Sequence, residues 1–179
     1  EFTVEANPGV LDDGALEAMA GAGVNRVSLG VQSFDPGTLA VLGRLHGPEE
    51  AWRALERLGD FGIEHVSIDL MFAAPGQSLD GWMRDLRAAV ATGVEHLSVY
   101  GLAIEPGTPL GRRGGAGDLA GLPDEEYAAM LLAARATLRA AGYEHYEWSN
   151  YARPGRRCRH NLTYWANRPY YGVGASATS

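Results

Sequence analysis

Two rhythms of hydrophobic and polar residues alternate along the first hundred positions of the chain. Short apolar runs are separated by longer stretches in which apolar residues return every three or four positions. The first rhythm is typical of β-strands and the second of amphipathic helices. The pattern predicts strands over residues 2–4, 26–31, 65–72 and 96–100.

Helical stretches follow the first three of these strands. They are predicted over residues 12–22, 36–42 and 48–58, and from the spacing of Leu79, Trp82, Leu86 and Val90. Gly23 and Gly93 stand where two of these helices should stop, because glycine readily adopts the left-handed conformation that ends a helix. Each helix therefore leads back into the next strand.

Repeated strand–helix units predict a fold of the α/β class with a parallel sheet. Such a sheet is either open and doubly wound or closed into a barrel, and periodicity does not separate the two. Four units are too few to close an eight-stranded barrel. Residues 1–110 are therefore predicted to form a partial parallel (β/α) barrel that lacks its early strands.

The second part of the chain changes character. Residues 111–122 are rich in glycine and arginine and are predicted to be a linker. A proline and three acidic residues at 123–126 then begin a helix. Its predicted buried stripe is Tyr127, Leu131, Ala134, Leu138 and Ala141. A short strand is possible over 144–148, and no periodicity follows, so residues 123–179 are interpreted as the last helix and strand of the core and the start of a C-terminal region.

Composition narrows the classes of function. The chain is 46% hydrophobic and 21% charged, with a net charge of -7, which is typical of a globular protein with little affinity for nucleic acid or anionic membranes. No apolar run approaches the roughly 20 residues that span a bilayer. The single cysteine, Cys158, allows no internal disulfide, which favours a reducing, cytoplasmic location. One cysteine also cannot supply the several thiolates of an iron–sulfur cluster.

Polar side chains stand at or near the ends of successive predicted strands. Glu5 follows the first strand, Gln32 follows the second, and Asp69 lies in the third. Because parallel β/α folds build their sites at the C-terminal ends of the strands, these groups are expected to converge there. Arg44 could hold a ligand carboxylate through a two-pronged hydrogen bond. The alternative is that the polar groups cap helices or bind loop amides, and that Arg44 is a solvated surface residue.

The order of several short segments resembles a known family. Glu5-Ala6-Asn7-Pro8-Gly9 is followed by residues 25–33 (NRVSLGVQS), 42–46 (LGRLH), 68–70 (IDL), 75–77 (PGQ) and 100–103 (YGLA). Together they resemble the core of the radical S-adenosylmethionine family, in its oxygen-independent coproporphyrinogen oxidase group. The resemblance implies a (β/α) barrel core, S-adenosylmethionine and a 4Fe-4S cluster.

The resemblance also implies roles for residues. Glu5 and Ala103 match positions that contact the S-adenosylmethionine at the cluster. Gln32, Arg44 and Asp69 match positions that line an adjacent second pocket. The cysteine triad of the family is absent, and it is expected upstream of Glu1, which starts the chain without an initiator Met. One departure is residues 72–75 (FAAP), where the family usually has glycine and leucine before the proline.

The tail carries a further resemblance. Residues 158–165 (CRHNLTYW) resemble the His-Asn-x-x-Tyr-Trp motif of a haem-chaperone subgroup within the same group. The implied haem-binding residues are His160, Asn161, Tyr164 and Trp165, since an imidazole can ligate iron and aromatic rings can lie on a porphyrin. Cys158 is an alternative ligand as a thiolate. From residue types alone, the alternative is that His160 and Asn161 satisfy loop backbone groups while Tyr164 and Trp165 fill a core.

Three hypotheses remain open from the sequence. The chain belongs to a protein that binds haem and S-adenosylmethionine and delivers haem to acceptor haemoproteins, whose identity the sequence does not reveal. Alternatively, it belongs to an enzyme, an oxidoreductase that decarboxylates coproporphyrinogen III in porphyrin biosynthesis. In the third hypothesis it is a β/α fragment that binds nothing by itself.

Overall fold

The computed structural model describes residues 1–115 and 122–174, without the side chains of residues 114 and 115. Its elements in chain order are β1 (Thr3–Ala6), a short 3-10 helix (Pro8–Val10), α1 (Asp13–Gly21), β2 (Arg26–Gln32), α2 (Pro36–Val41), α3 (Pro48–Asp60), β3 (His65–Phe72), α4 (Leu79–Ala91), β4 (His96–Gly101), α5 (Pro109–Gly115), α6 (Asp124–Ala140), β5 (Glu144–His145), β6 (Asn150–Ala152) and α7 (Arg159–Trp165).

The strands form one mixed sheet in the order β1-β2-β3-β4-β6-β5. The first four pair in parallel, as the repeated strand–helix units predict, whereas β6 runs antiparallel to both β4 and β5. The prediction of an α/β fold with a parallel sheet is confirmed. The sheet is open at β1 and β5, which is compatible with part of a barrel.

Helix ends are fixed by the residues that the sequence places there. The side chain of Asp12 accepts from the Ala15 amide at 2.8 Å, and that of Asp35 accepts from the Thr38 amide at 2.7 Å. Such caps satisfy amides that the first helical turn leaves without partners. Gly93 follows α4 with φ of 74°, the left-handed conformation predicted for a helix stop.

The two faces of the sheet differ in chemistry because side chains alternate along each strand. One face is apolar and fully buried beneath the helices; it carries Val27, Leu29, Val31, Ile68, Leu70, Phe72, Leu97 and Val99. Trp82 of α4 is buried there, and its indole nitrogen donates to the Met130 carbonyl of α6 at 2.9 Å. The opposite face carries Glu5, Arg26, Ser28, Ser67, Asp69, His96, Ser98 and Tyr100, and it is called the polar face below.

The second part of the chain departs from the sequence pattern at several points. The buried stripe of α6 is Met130, Ala134 and Leu138, whereas Tyr127 is exposed and Leu131 and Ala141 are half-buried. The possible strand over 144–148 stops at residue 145, and the chain turns back as β6. No helix was predicted after residue 153, but α7 forms at residues 159–165.

The predicted linker over residues 111–122 begins inside α5, and its residues 116–121 lie outside the described residues. Beyond it, α6 packs on α4, and β6 extends the sheet from β4. None of the helices within the described ranges is long and apolar enough to cross a membrane.

Candidate functional site

Asp69 lies at the centre of the polar face, toward the C-terminal ends of the strands. The hydroxyl of Ser28 donates to its Oδ1 at 3.0 Å, and Ser98 lies opposite Asp69 on the neighbouring strand. Burial raises the pKa of Asp69, and the charge of Glu5 adds to this, while the hydrogen bonds from Ser98 and Ser28 act in the opposite direction. Glu5 pairs with Ser28 in register, so the two carboxylates share one face.

Gln32 and Arg44 lie at another part of the C-terminal end of the strands, where each is close to Asn7. A Cβ on Gly30 would be 2.9 Å from the amide nitrogen of Gln32 and 3.1 Å from the Asn7 oxygen, so glycine makes room for both side chains. Arg44 donates to that same Asn7 oxygen at 3.2 Å. Gln32 is buried and ends β2 with φ of 66°, where the register between β2 and β3 shifts.

Ala103 lies just beyond β4 at this end of the sheet and is exposed. Its neighbour Leu102 donates its amide to the Phe72 carbonyl at 2.9 Å, which ties the segment to the end of β3. The predicted residues Glu5, Gln32, Arg44, Asp69 and Ala103 therefore all lie toward the C-terminal ends of the strands. Their binding of S-adenosylmethionine stays a prediction.

A buried carboxylate fixes the loops beside this end. Asp85 of α4 accepts from the Ser33 hydroxyl at 2.7 Å and from the Phe34 amide at 2.8 Å. The Gln77 amide also donates to it, at 3.4 Å. Burial raises the pKa of Asp85, against the effect of these hydrogen bonds. Asp85 thus holds the segment after Gln32 without facing the polar face itself.

The tail motif begins at the opposite edge of the sheet. The carboxylate of Glu1 accepts the backbone amides of Arg159 and His160 at 3.1 and 2.8 Å, at the first turn of α7. Burial acts to raise the pKa of Glu1, but these amide bonds, with the charge of Arg26, outweigh it and lower the pKa. Because Glu1 precedes β1, this contact places the start of α7 at the N-terminal edge of the strands.

The side chains of the motif face outward more than inward. His160 is exposed, with its ring edge-on to Tyr170 at 5.1 Å. Tyr164 and Trp165 are 58% and 61% exposed, and the Trp165 indole donates to Glu147 at 2.8 Å. Asn161 donates to the Tyr146 hydroxyl at 3.3 Å rather than to a loop backbone. Among the described residues, Tyr164 and Trp165 therefore do not fill a core.

Cys158 is less suited to binding iron than His160. Its side chain is 2% exposed, and its thiol donates to Glu1 at 3.4 Å. Burial raises the pKa of Cys158, which disfavours the thiolate that a metal requires. The imidazole of His160, by contrast, is open to solvent.

A hydrogen-bond network lies beneath the motif and was not predicted from the sequence. The Nδ1 of His96 lies 2.7 Å from the Ser67 hydroxyl, and its Nε2 lies 2.7 Å from the Tyr146 hydroxyl. Burial, assisted by the charge of Arg26, lowers the pKa of His96 to about 3, so the ring is neutral. The alternation of polar and apolar residues in β2, β3 and β4, interrupted at Gly30 and Met71, was the available signal for this face.

A match to a family model defines the class of this protein. The model of the Radical SAM superfamily matches residues 1–89, and the chain belongs to that superfamily. Among solved structures, coproporphyrinogen III oxidase (HemN) from Escherichia coli aligns with a TM-score of 0.76 over 93% of this chain and 38% of that one. Its sequence identity is 21%, so the likeness concerns the fold.

Curated relatives match the chain from end to end. The heme chaperone HemW of Escherichia coli is 43% identical over 178 residues, 99% of this chain and 46% of that protein. HemW of Synechocystis is 41% identical over 100% of this chain and 43% of its own length. The mitochondrial radical S-adenosyl methionine domain-containing protein 1 of Bos taurus is 42% identical over 99% of this chain and 40% of its own. The chain thus spans less than half of each of these relatives.

Membership of the superfamily implies S-adenosylmethionine and a 4Fe-4S cluster. The first fits residues of this chain: Glu5 and Asp69 offer acceptors for ammonium or hydroxyl donors, and Arg44 offers a partner for a carboxylate. Asn150 adds a buried oxygen with no hydrogen-bond partner among the described residues, opposite Ser98 in register. The cluster does not fit, because Cys158 is the sole cysteine and the described residues contain no group of three potential metal ligands.

Proposed function

We propose that this chain is the part of a haem chaperone that binds S-adenosylmethionine at the C-terminal ends of its strands and haem through its tail motif. The observation that carries the proposal is the exposed His160 imidazole on a helix anchored by Glu1, beside Tyr164 and Trp165. An axial ligand needs a neutral imidazole that iron can reach, and aromatic rings stabilise a porphyrin by lying on it. The names of the curated relatives support the same function.

S-adenosylmethionine is proposed to lie between the two acidic residues, Glu5 and Asp69, and Arg44. Glu5 and Asp69 would accept from its ammonium and ribose hydroxyls, and Arg44 would pair with its carboxylate. Gln32, next to Asn7 and Gly30, offers a donor and an acceptor to the same ligand, and Ala103 borders it. No residue set of this chain would hold the cluster, and its thiolates would have to come from elsewhere in the full-length protein.

The haem ligand is tested by replacing His160 with alanine in the full-length protein. His160→Ala should shift or abolish the haem absorption bands and leave the fold intact, because the ring is exposed and its anchoring bond uses the backbone. His145→Ala, at another exposed histidine, is the matched control and should keep the wild-type spectrum. Lost stability with unaltered spectra would make His160 a structural residue.

The variant Cys158→Ser tests whether Cys158, rather than His160, is the haem ligand. We expect wild-type haem spectra, because the thiol is buried and bound to Glu1. A changed spectrum in this variant alone would identify Cys158 as the ligand. Wild-type spectra and affinity in both variants would remove the motif from the haem site.

The oxidase remains the second candidate function. It predicts that the full-length protein converts coproporphyrinogen III under anaerobic conditions with S-adenosylmethionine. The chaperone function predicts stable haem binding and no such turnover. Haem that is neither retained nor transferred, together with turnover, would favour the oxidase.

A further inference from the structure

A cavity of about 230 Å³ opens at the N-terminal edge of the strands, opposite the end that carries Asp69. The first residues of three neighbouring strands, Arg26, His65 and His96, line it from the sheet. The segment before α7 closes it from the other side with Arg156, Arg157 and Arg159, and Glu1 and Glu95 complete the charged lining. Four arginines thus face two glutamates.

Arg26 is the unusual member of this lining. Arg26 is only 6% exposed, and its guanidinium contacts the neutral His96 ring at 3.4 Å. None of the ion pairs formed among the described residues includes Arg26. The charge of Arg26 helps to lower the pKa of Glu1, but the Glu1 carboxylate is already engaged by the backbone amides that anchor α7. A buried charge normally has a partner of opposite sign. The cavity beside Arg26 is therefore suited to bind an anion.

The other arginines of the cavity differ in how they are paired. Arg156 pairs with Glu95 at 3.2 Å, and Arg157 pairs with Glu144 at 3.1 Å. Arg159, like Arg26, is in none of the ion pairs of the described residues, although its backbone amide binds Glu1. Guanidinium groups bind carboxylates in a two-pronged geometry. Arg26 and Arg159 are therefore the two groups that could receive such a ligand.

The cavity adjoins the haem motif. Arg159, which lines it, directly precedes His160, and the Glu1 carboxylate that lines it binds the His160 amide at 2.8 Å. Haem carries two propionate carboxylates at one edge of its ring. We propose that this cavity binds a propionate carboxylate of the porphyrin through Arg26 and Arg159 while His160 faces the iron. This inference rests on the proposed haem-binding function.

The test compares haem with its dimethyl ester, which has the same ring and iron but no carboxylate. Binding of both to the full-length protein is measured by absorption titration. The wild type should bind haem at least about tenfold more tightly than the ester, which corresponds to the loss of one charged hydrogen bond. Arg159→Gln should reduce this preference, and so should Arg26→Gln. Arg87→Gln, on the exposed side of α4, should keep it.

The outcomes separate the inference from the function on which it rests. Haem and ester binding equally tightly to the wild type would overturn the inference and leave haem binding in place. No binding of either would overturn both. Because Arg26 is buried, the folding of Arg26→Gln is checked by circular dichroism, and the exposed Arg159→Gln keeps the test valid if that variant unfolds.

A third arm distinguishes the porphyrin carboxylate from a free anion. Inorganic phosphate is titrated as a competitor against haem and against the ester. The proposal expects phosphate to weaken haem binding and to leave ester binding unchanged. Phosphate that binds in an Arg26-dependent manner without affecting haem would assign the cavity to a small free anion and overturn the propionate.

Discussion

The two ends of the polar face carry opposite charge, although the same strands build both. Toward the C-terminal ends, Glu5 and Asp69 lie near each other with Ser28 between them. At the N-terminal edge, Arg26 lies with three arginines of the tail around a cavity. One end is suited to a ligand with ammonium and hydroxyl donors, and the other to a carboxylate.

The ends also differ in how their residues are brought together. The acidic end takes its side chains from strand after strand, so the parallel register alone aligns them. The basic end needs the chain to return from residue 153 and to be anchored by Glu1. The acidic end should therefore keep its arrangement when the tail is altered, whereas the basic end should lose it. The following experiments test that separation.

The largest effect is expected at the acidic end. Glu5→Ala in the full-length protein should weaken S-adenosylmethionine binding by about 1.5–3 kcal/mol, roughly tenfold to a hundredfold, because one charged hydrogen bond is lost. Calorimetry measures the affinity, and haem binding should not change. Glu17→Ala, an exposed glutamate of α1, is the control. Unchanged affinity would remove Glu5 from the site, and lost haem binding would show that the two ends are coupled.

A somewhat smaller effect, on the free energy of unfolding, is expected at the basic end when the pH is lowered. The pKa of His96 is held at about 3, below its ordinary 6.5, so the stability it contributes is complete above pH 6.5 and is lost as the pH falls toward 3. Between pH 6.5 and 5 this one group should lower the free energy of unfolding by about 2 kcal/mol. His96→Gln, which cannot titrate, should show a correspondingly smaller loss in urea unfolding at the two pH values. Equal losses in both proteins would contradict a buried neutral His96.

Weakening the anchor of the tail should have an effect of about 1 kcal/mol. Glu1→Gln replaces a charged acceptor of the Arg159 and His160 amides by a neutral one. Hydrogen exchange at these two amides should accelerate by several-fold, and amides inside α6 provide the internal control. S-adenosylmethionine binding should stay at the wild-type level. Exchange that does not accelerate would mean that α7 is held by other contacts.

The smallest effect concerns the loop after β3. Ala73 has φ of 62°, in the left-handed region that costs a residue with a Cβ roughly 1–2 kcal/mol. Ala73→Gly relieves this but adds freedom to the unfolded chain, so a net gain of about 0.5 kcal/mol in the free energy of unfolding is expected. Ala74→Gly, at a buried neighbour without positive φ, should instead destabilise. A loss at both positions would mean that packing of the Ala73 methyl group outweighs the strain.

The predicted strands and helices of the first hundred residues agree closely with the structure, and β3 agrees to the residue. Each of these segments buries one apolar face. The spacing of its apolar residues in the sequence therefore indicates whether it is a strand or a helix and which face packs against the core. The strand-end positions of Glu5, Gln32 and Asp69 followed from the same pattern, because parallel strands end at one edge. This chain has FAAP at residues 72–75 where the family usually has glycine and leucine before the proline, and a glycine there would suit the left-handed φ of Ala73.

Contacts distant in sequence could not be predicted in this way. Asn7 was interpreted only as part of a turn, yet its side chain accepts a hydrogen bond from Arg44, 37 positions further along the chain. α7 was missed because none of its residues is buried, so it leaves no apolar period to detect. Its anchor is Glu1, 159 positions before His160, and no local pattern encodes such a pairing.

The sequence by itself determined the β/α units, the apolar face and the types of side chain at the strand ends, because each depends on residues close together in the chain. Only the tertiary structure decided that Arg26 and the arginines of the tail would share one cavity and that His160 would lie beside it. It also decided the ionisation of His96, since burial and the neighbouring guanidinium, not the residue type, lower its pKa to about 3. The charge and length of a side chain are properties of the residue itself. Its burial and its neighbours are decided only when distant segments of the chain pack together.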